Sequence, residues 1–240
     1  MEKQKLSLRK IISYLIKILI VFTSLGGVVI GLFTYSDAGY SNWWDRLLYF
    51  TTQSNIWIGV TMLLIVLLPI FKSKNKEKLT RRLYLLKYIF TVSITLTGLV
   101  FCCMLAPFAD ETYKPWSLTS LLTHVFTPTL AIIDWFLDNT TLLLNKKHIF
   151  ASLIPPALYV IFAIILGAFG VDFGRGDTYP YFFLNFYSNA GLFGYAAGSP
   201  PEIGTVYWLV FLLCVILIIS VIYAKLHPTS IQQRKLNKTR

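Results

Sequence analysis

Six long apolar stretches alternate with short polar segments along the chain, and each stretch carries few charged residues. Each is close to the ~20 residues that an α-helix needs to cross ~30 Å of hydrocarbon. We therefore predict an all-α fold, a polytopic transmembrane bundle of six helices that forms a single membrane domain over residues 1–240. The predicted helices cover about residues 11–35, 47–71, 83–107, 117–137, 149–170 and 204–226.

Proline and glycine inside these stretches do not argue against helices, because membrane helices tolerate both. We expect Pro128 and Pro155 to kink the fourth and fifth helices. The first stretch is long enough to span a membrane, and no small-residue cleavage site follows it. We therefore expect a retained helix rather than a signal peptide.

The composition indicates a lipid-facing exterior. Hydrophobic residues make up 55% of the chain and charged residues only 14%, against roughly a quarter charged in soluble domains. A net charge of +11 would indicate nucleic-acid binding in a soluble protein. Here the basic residues lie between apolar stretches, which is typical of membrane topology and of contact with anionic lipids. We expect membrane lipids as partners and no nucleic acid.

The distribution of lysine and arginine predicts the orientation of the bundle. Seventeen of these residues lie in the two tails and in the second and fourth connections. The other three connections carry one each, namely Arg46, Lys114 and Arg175. The positive-inside rule therefore places both termini in the cytoplasm. The short chain favours a bacterial plasma membrane, with a eukaryotic membrane as the alternative.

The outer connection over residues 171–203 is long and rich in tyrosine, phenylalanine and glycine. Long ordered loops tend to be lids or parts of sites, so we expect this one to fold back over the outer mouth of the bundle. Its side chains either anchor the loop in the interface or form the wall of an acyl-chain pocket. The candidate pocket residues are Tyr179, Pro180, Tyr181 and Asn185.

Five consecutive polar residues, Thr51 to Asn55, lie near the outer end of the second helix. Thr51 shares one helical face with Ser54 and Asn55. One interpretation is hydrogen bonding between helices, which such side chains commonly make in bilayers. The other is a nucleophilic hydroxyl with amide neighbours that hold it or stabilise an oxyanion.

His124 is the histidine that lies well inside an apolar stretch, and Thr127 follows one turn later. It is either a neutral side chain hydrogen-bonded between helices or a general base. His124 lies ~10 Å and Thr51 ~6 Å from the outer ends of their helices, at 1.5 Å per residue. Because the two helices run antiparallel, the two side chains are expected to meet at similar depth.

Asp134 lies ten residues after His124, or ~15 Å further along the helix, so it does not orient the imidazole directly. We expect it to pair with Lys87 or Lys17, or to hydrogen-bond Trp208 or Tyr159. The three cysteines, at positions 102, 103 and 214, are expected to be buried thiols. No spacing typical of a metal site or a nucleotide-binding loop is present, and no cofactor is predicted.

In three places the chain resembles the androgen-induced and androgen-dependent TFPI-regulating family of six-helix membrane proteins. Phe50-Thr51 resembles the start of its second helix, and residues 124–134 resemble its histidine helix. Tyr179 to Leu184 resembles its Tyr-Pro-Phe-Leu segment. The resemblance implies hydrolysis of fatty-acid esters with Thr51 as nucleophile and His124 as base, Thr52 being the alternative nucleophile.

The chain departs from the animal pattern of that family at Leu121, where a second histidine is expected, and at Asp134, which replaces glutamate. It also lacks a histidine pair before the Tyr-Pro segment. The family's substrate therefore does not carry over. The leading hypothesis is an intramembrane threonine hydrolase that acts on a lipid ester.

Two other functions remain open at this stage. The same polar residues would suit a small carrier or channel with His124 and Asp134 in a proton path, although no inverted repeat is present. A non-catalytic scaffold is the third hypothesis. The sequence leaves the oligomeric state open.

Overall fold

The computed structural model describes residues 8–70, 75–108, 114–138, 142–197 and 202–228. The predicted end of the second helix at Phe71 lies outside the described residues. So do several of the basic residues that were counted above, namely Lys3, Lys5, Lys72, Lys74, Arg234, Lys235, Lys238 and Arg240.

Six helices in the described part of the chain are long and apolar enough to cross a membrane. The prediction of an all-α, multi-pass integral membrane protein is therefore confirmed. The helices are α1 (Leu8–Phe33), α2 (Phe50–Leu67), α3 (Lys76–Phe108), α4 (Leu118–Leu137), α5 (Lys146–Ala168) and α6 (Thr205–Leu226). A small antiparallel hairpin precedes α6 and consists of β1 (Tyr195–Ala196) and β2 (Glu202–Ile203).

Several helix boundaries differ from the predicted ones. Helix α2 begins at Phe50, because Trp43–Leu48 forms a separate 3-10 helix and Tyr49 is extended. Helix α3 begins seven residues before the predicted start, at Lys76, since its first two turns are charged and carry no hydropathy signal. Helix α5 is interrupted after Ala151 and resumes at Ile154, just before Pro155, the proline that was expected to kink it.

Three of the helices contain a π-helical segment that sequence patterns did not predict. These segments are Phe22–Gly26 in α1, Phe101–Leu105 in α3 and Leu121–Phe126 in α4. A π segment inserts extra backbone into an α-helix and often occurs at functional sites. In α4 the segment directly precedes Thr127 and Pro128, so the proline lies in the first turn of the regular helix that follows.

Helices α1 to α4 form the compact part of the bundle, whereas most of the surface of α5 and α6 lies outside the core. One group of buried apolar residues joins α1, α2, α3 and α4, and it includes Ile20, Ile58 and Ile94. A second group joins α3 and α4 to α6 through Tyr88, Trp135 and similar side chains. We call the end of the bundle that carries residues 171–203 the loop end, and the other end the cluster end.

Four charged side chains meet inside the bundle near the cluster end. The ammonium group of Lys17 lies 2.9 Å from Asp134 Oδ1 and 3.0 Å from Asp138 Oδ2. Lys87 Nζ lies 2.5 Å from Asp134 Oδ2 and also contacts Asp138. The hydroxyl of Ser13 donates to Asp134 Oδ1 over 2.6 Å. We call these two lysines and two aspartates the charge cluster; it connects α1, α3 and the end of α4.

The predicted pairing of Asp134 with lysine is confirmed for both Lys17 and Lys87. The alternative partners are engaged elsewhere. The ring of Trp208 packs against Phe182, and the hydroxyl of Tyr159 donates to the carbonyl of Leu48.

The prediction of buried cysteine thiols is wrong. Cys102, Cys103 and Cys214 are all exposed at the surface of the bundle. An apolar stretch in a membrane helix has both a core-facing and a lipid-facing side, and hydropathy does not distinguish them.

The charge cluster predicts a large stability loss when one charge is removed. Breaking a buried ion pair by removing one partner costs about 3–5 kcal/mol, because the remaining charge is left uncompensated. Lys87→Met is therefore expected to lower the unfolding temperature in detergent by about 10 °C. Removal of one charge of each sign, in Lys87→Met combined with Asp138→Leu, should be less harmful than the single change. The control is Lys78→Met, at an exposed position in the first turn of helix α3, and an equal shift in control and variant would contradict this account.

Candidate functional site

Two cavities meet at the beginning of α2. The first, the apolar cavity, has a volume of about 380 Å³ and lies between α2, α3, α5 and α6. The second, the polar cavity, has a volume of about 570 Å³ and lies at the loop end, between α1, α3, α4 and the outer connections. Both volumes fall in the range of small-molecule sites. Of the residues that the structure describes, three line both cavities: Thr51, Leu105 and Tyr181.

The apolar cavity has a lining suited to an acyl chain. Most of its wall consists of aliphatic side chains of α5 and α6, such as Val160 and Leu209. Toward the cluster end the two helices are joined by a hydrogen bond between the hydroxyls of Ser152 and Ser220. The cavity therefore lies between two helices that form much of the lipid-facing surface.

Thr51 lies in the first turn of α2, closer to the end of the helix than predicted. Tyr49, the N-cap residue of α2, makes no side-chain capping hydrogen bond. The first backbone N–H groups of a helix have no acceptor within the helix and carry partial positive charge. The N–H of Thr51 lies 3.4 Å from the hydroxyl oxygen of Tyr181, and its Oγ1 lies 3.5 Å from the same oxygen.

His124 is partly buried in the wall of the polar cavity, and its contacts define its tautomer. Its Nδ1 lies 3.1 Å from the carbonyl oxygen of Ser120, which can only accept a hydrogen bond. The hydroxyl of Thr123, 3.2 Å from the same nitrogen, donates to the carbonyl of Thr119. Nδ1 therefore carries the proton, and Nε2 keeps the lone pair that a general base requires.

The imidazole is also held by stacking. Its ring centroid lies 4.2 Å from that of Phe101, with an angle of 22° between the planes. Phe101 is fully buried and begins the π segment of α3. The position of His124 is therefore fixed by Phe101 of the neighbouring π segment, and its tautomer by Ser120, just before its own π segment.

Thr51 and His124 line the same polar cavity, as their expected depth implied. Among the described residues, however, no hydrogen bond joins the two side chains directly. The alternative nucleophile, Thr52, is buried and lines the polar cavity but not the apolar one. Of the two threonines, Thr51 is thus the one that faces both compartments.

Ser54 and Asn55 line neither cavity, and their hydrogen bonds are of the kind the first interpretation predicted, between helices. Ser54 Oγ lies 2.9 Å from the hydroxyl of Thr97 and also donates to the carbonyl of Thr51. The amide of Asn55 donates to the carbonyls of Thr51 and Thr123, over 2.8 and 3.0 Å. Both side chains turn away from the site because they hold α2 against α3 and α4.

Three other predicted site residues also lie outside the two cavities. The hydroxyl of Thr127 donates to Thr23 Oγ1 over 2.9 Å and joins α4 to α1. Asp134 belongs to the charge cluster. The side chain of Asn185 accepts a hydrogen bond from the backbone of Tyr187 and stabilises a turn.

The loop over residues 171–203 contributes to both cavities, as expected. Tyr179, Pro180 and Tyr181 line the polar cavity, and Tyr181 also faces the apolar one. The ring of Tyr181 stacks on that of Phe183 at 5.0 Å, which orients its hydroxyl toward α2. Burial raises the pKa of Tyr49, and burial together with Asp177 raises the pKa of Tyr179, so both phenols are neutral.

Sequence reasoning missed three basic residues in the polar cavity, Arg46, Lys114 and Arg175. The sequence offered one indication of their importance: each is the only lysine or arginine in its connection. Within the ranges that the structure describes, no group of three or more histidine, cysteine, aspartate or glutamate residues is placed to hold a metal ion.

Comparisons with known proteins did not identify relatives. A scan against protein-family models found no match, and neither a curated protein nor a solved structure matches the chain. The resemblance described above therefore stays a prediction from short motifs.

Thr51 and Ser54 share a face of α2 but differ in access, which cysteine labelling measures. In a background with the three native cysteines replaced by alanine, Thr51→Cys should react with a small thiol reagent, because Thr51 faces two cavities. Ser54→Cys, one turn away and fully buried, should react at least about tenfold more slowly, because the packed helices must open locally before the reagent reaches the thiol. Equal labelling rates would contradict the described orientation of α2.

Proposed function

We propose that this protein is an intramembrane hydrolase of lipid esters, with Thr51 as nucleophile and His124 as general base. The observation that supports this most is the position of Thr51 in the wall shared by an apolar and a polar cavity. A lipid ester has the same division, with an acyl chain on one side of the carbonyl and a polar group on the other. Its carbonyl would lie beside Thr51 with each part in a matching compartment.

The proposed chemistry begins with proton transfer from Thr51 Oγ1 to His124 Nε2. The oxygen bonds to the ester carbonyl carbon and forms a tetrahedral intermediate. The bond from that carbon to the alkoxy oxygen then breaks, and the imidazolium gives its proton to the leaving alcohol. Water, deprotonated by His124, attacks the acyl-enzyme, and the acid leaves as Thr51 regains its proton.

The N–H groups in the first turn of α2 and the hydroxyl of Tyr181 are the proposed donors to the oxyanion. The uncapped first turn offers partial positive charge beside the nucleophile. Tyr181 already contacts both the backbone nitrogen and the hydroxyl of Thr51. Because its pose is determined by stacking on Phe183, it would donate with little reorganisation.

Proton transfer between Thr51 and His124 requires a bridging water or a closer approach when substrate is bound. Hydrogen bonds of a catalytic site are often long before substrate arrives and shorten in the reactive complex. The polar cavity is large enough for water, and it is lined by hydroxyl groups of Thr52, Ser120 and Thr123.

The excess of basic residues in the other connections supports an orientation with the loop end facing away from the cytoplasm. In that orientation the ester would come from the outer leaflet, and a bacterial plasma membrane is the setting we favour. The carrier hypothesis has less support, because none of the four members of the charge cluster lines either cavity.

Removal of the base or the nucleophile is expected to abolish most activity. With a fluorogenic long-chain ester as substrate, His124→Ala and Thr51→Ala should each lower turnover by about 100-fold or more, since general acid–base assistance contributes 10²–10⁴. Thr52→Ala, the matched control on the adjacent residue, should keep at least about half of the wild-type rate. A fluorophosphonate probe should label wild type and Thr52→Ala but not the other two variants. Wild-type turnover in His124→Ala would refute the assignment.

The tyrosine hydroxyl has a separate signature. Tyr181→Phe keeps the stacked ring and removes only the hydroxyl that is proposed to donate to the oxyanion. We therefore expect kcat to fall about 10- to 100-fold, with little change in KM. This loss of kcat is smaller than the losses typical of a full oxyanion hole. Tyr88→Phe is the control, because it removes a buried tyrosine hydroxyl that donates to the Ser220 carbonyl and lines neither cavity. Similar losses in both variants would indicate a packing effect.

A further inference from the structure

The polar cavity collects the basic residues of all three loop-end connections. Arg46 precedes α2, Lys114 precedes α4 and Arg175 lies in the loop before α6. They are far apart along the chain, yet all three line one cavity. Each is the only lysine or arginine of its connection, so their meeting does not reflect a generally basic surface.

The positions of the two arginine side chains are defined by the groups they contact. A β-carbon on Gly31 would lie 2.9 Å from Arg46 Cζ, so the guanidinium fills the space that the absent side chain leaves on α1. The Cζ atoms of Arg46 and Arg175 lie 5.3 and 4.6 Å from the ring centroid of Tyr40. Arg175 also donates to the carbonyl of Ala38 over 2.9 Å. Two cations are thus held on the same tyrosine ring.

The lining also contains acids, which narrows the kind of ligand. Asp37 and Asp177 line the polar cavity together with the three basic residues. The balance of these five side chains is one positive charge, too small for a site that binds a polyanion such as nucleic acid. It suits a single compact anionic group on a molecule that is otherwise neutral or weakly charged.

The position of the polar cavity relative to the membrane indicates the source of this anionic group. The cavity lies at the helix ends, and the loop end also exposes Trp43, Trp44 and Trp116. Exposed tryptophans at helix ends are typical of the interface, where lipid head groups lie. Arginine is the side chain best suited to bind phosphate oxygens, and three separate cations match a group with more than two oxygens.

We propose that the polar cavity binds the phosphate of a lipid head group, with Arg46, Arg175 and Lys114 as its ligands. The proposal rests on the proposed function for the placement of the ester at Thr51. It adds the substrate class, a single- or double-chain lipid that carries a phosphate on the polar side of its acyl ester. The acyl chain would occupy the apolar cavity and the phosphate the polar one.

The test measures binding without turnover. Full-length Thr51→Ala protein in an uncharged detergent is titrated calorimetrically with three lipids that have the same acyl chain: lysophosphatidate, the free fatty acid and the monoacylglycerol. Lysophosphatidate should bind at least about tenfold more tightly than the other two, as expected for hydrogen bonds to charged groups. Equal affinity for the fatty acid would overturn the preference for phosphate, and equal affinity for the monoacylglycerol would overturn the anion site.

Variants identify the residues. Arg46→Gln and Arg175→Gln should each weaken lysophosphatidate binding about tenfold and leave monoacylglycerol binding unchanged. Lys78→Gln, an exposed change of the same charge at the cluster end, should alter neither. If Arg46→Gln does not fold, Gly31→Ala gives the same readout, because its β-carbon would lie 2.9 Å from Arg46 Cζ and displace the flexible guanidinium, with Thr119 Cγ2 as the other neighbour at 3.0 Å. Unchanged lysophosphatidate affinity in the folded arginine variants would overturn the proposal.

Two further outcomes separate this inference from related ones. Inorganic phosphate that binds as tightly as lysophosphatidate would indicate a site for the free ion and overturn the head-group assignment. Selective binding of lysophosphatidate by a wild-type protein that hydrolyses no ester would leave this site intact and refute the proposed hydrolysis. The two proposals can therefore fail independently.

Discussion

Four charges in a membrane interior are stable only while they compensate one another, and the arrangement of this bundle depends on that requirement. The charge cluster contains two lysines and two aspartates, with almost no exposed surface. An unpaired charge at such a depth costs several kcal/mol, so α1, α3 and α4 have one favoured alignment. That alignment brings the π segments of α3 and α4 to one polar cavity. Asn55 then fixes α2 by bridging two carbonyl groups.

The site at the start of α2 follows from an uneven distribution of hydrogen bonds. One turn into the helix, the Ser54 hydroxyl and the Asn55 amide nitrogen bond to neighbouring helices. At Thr51 the helix has just begun, and the backbone donors of the first turn have no partner within it. A reactive hydroxyl, donors for negative charge and an opening to two cavities therefore occur at the same place. The same features would be unavailable one turn deeper.

Much of the fold could be predicted from the sequence, because six apolar stretches of spanning length specify six helices almost without regard to detail. The pairing of Asp134 with lysine was also predictable, since a buried carboxylate in a membrane requires a cation. The start of α2 was not, because Leu47 and Leu48 are as apolar in a 3-10 helix as in an α-helix. The roles of Ser54 and Asn55 were not predictable either, because they depend on which residues of the neighbouring helices each side chain contacts. The meeting of Arg46, Lys114 and Arg175 is tertiary and leaves no local pattern.

A π segment holds one residue more than a regular α-helix would, so the turns on either side keep their faces when that residue is lost. A single deletion inside Leu121–Phe126 would therefore restore an α-helix in α4. The half that carries Asp134 would keep its ion pairs, and the half that carries Thr119 and Ser120 would stay at the polar cavity. The side chains of the segment itself, His124 among them, would be redirected. Insertions and deletions at these points are thus a route by which related chains can acquire new pocket chemistry on an unchanged membrane anchor.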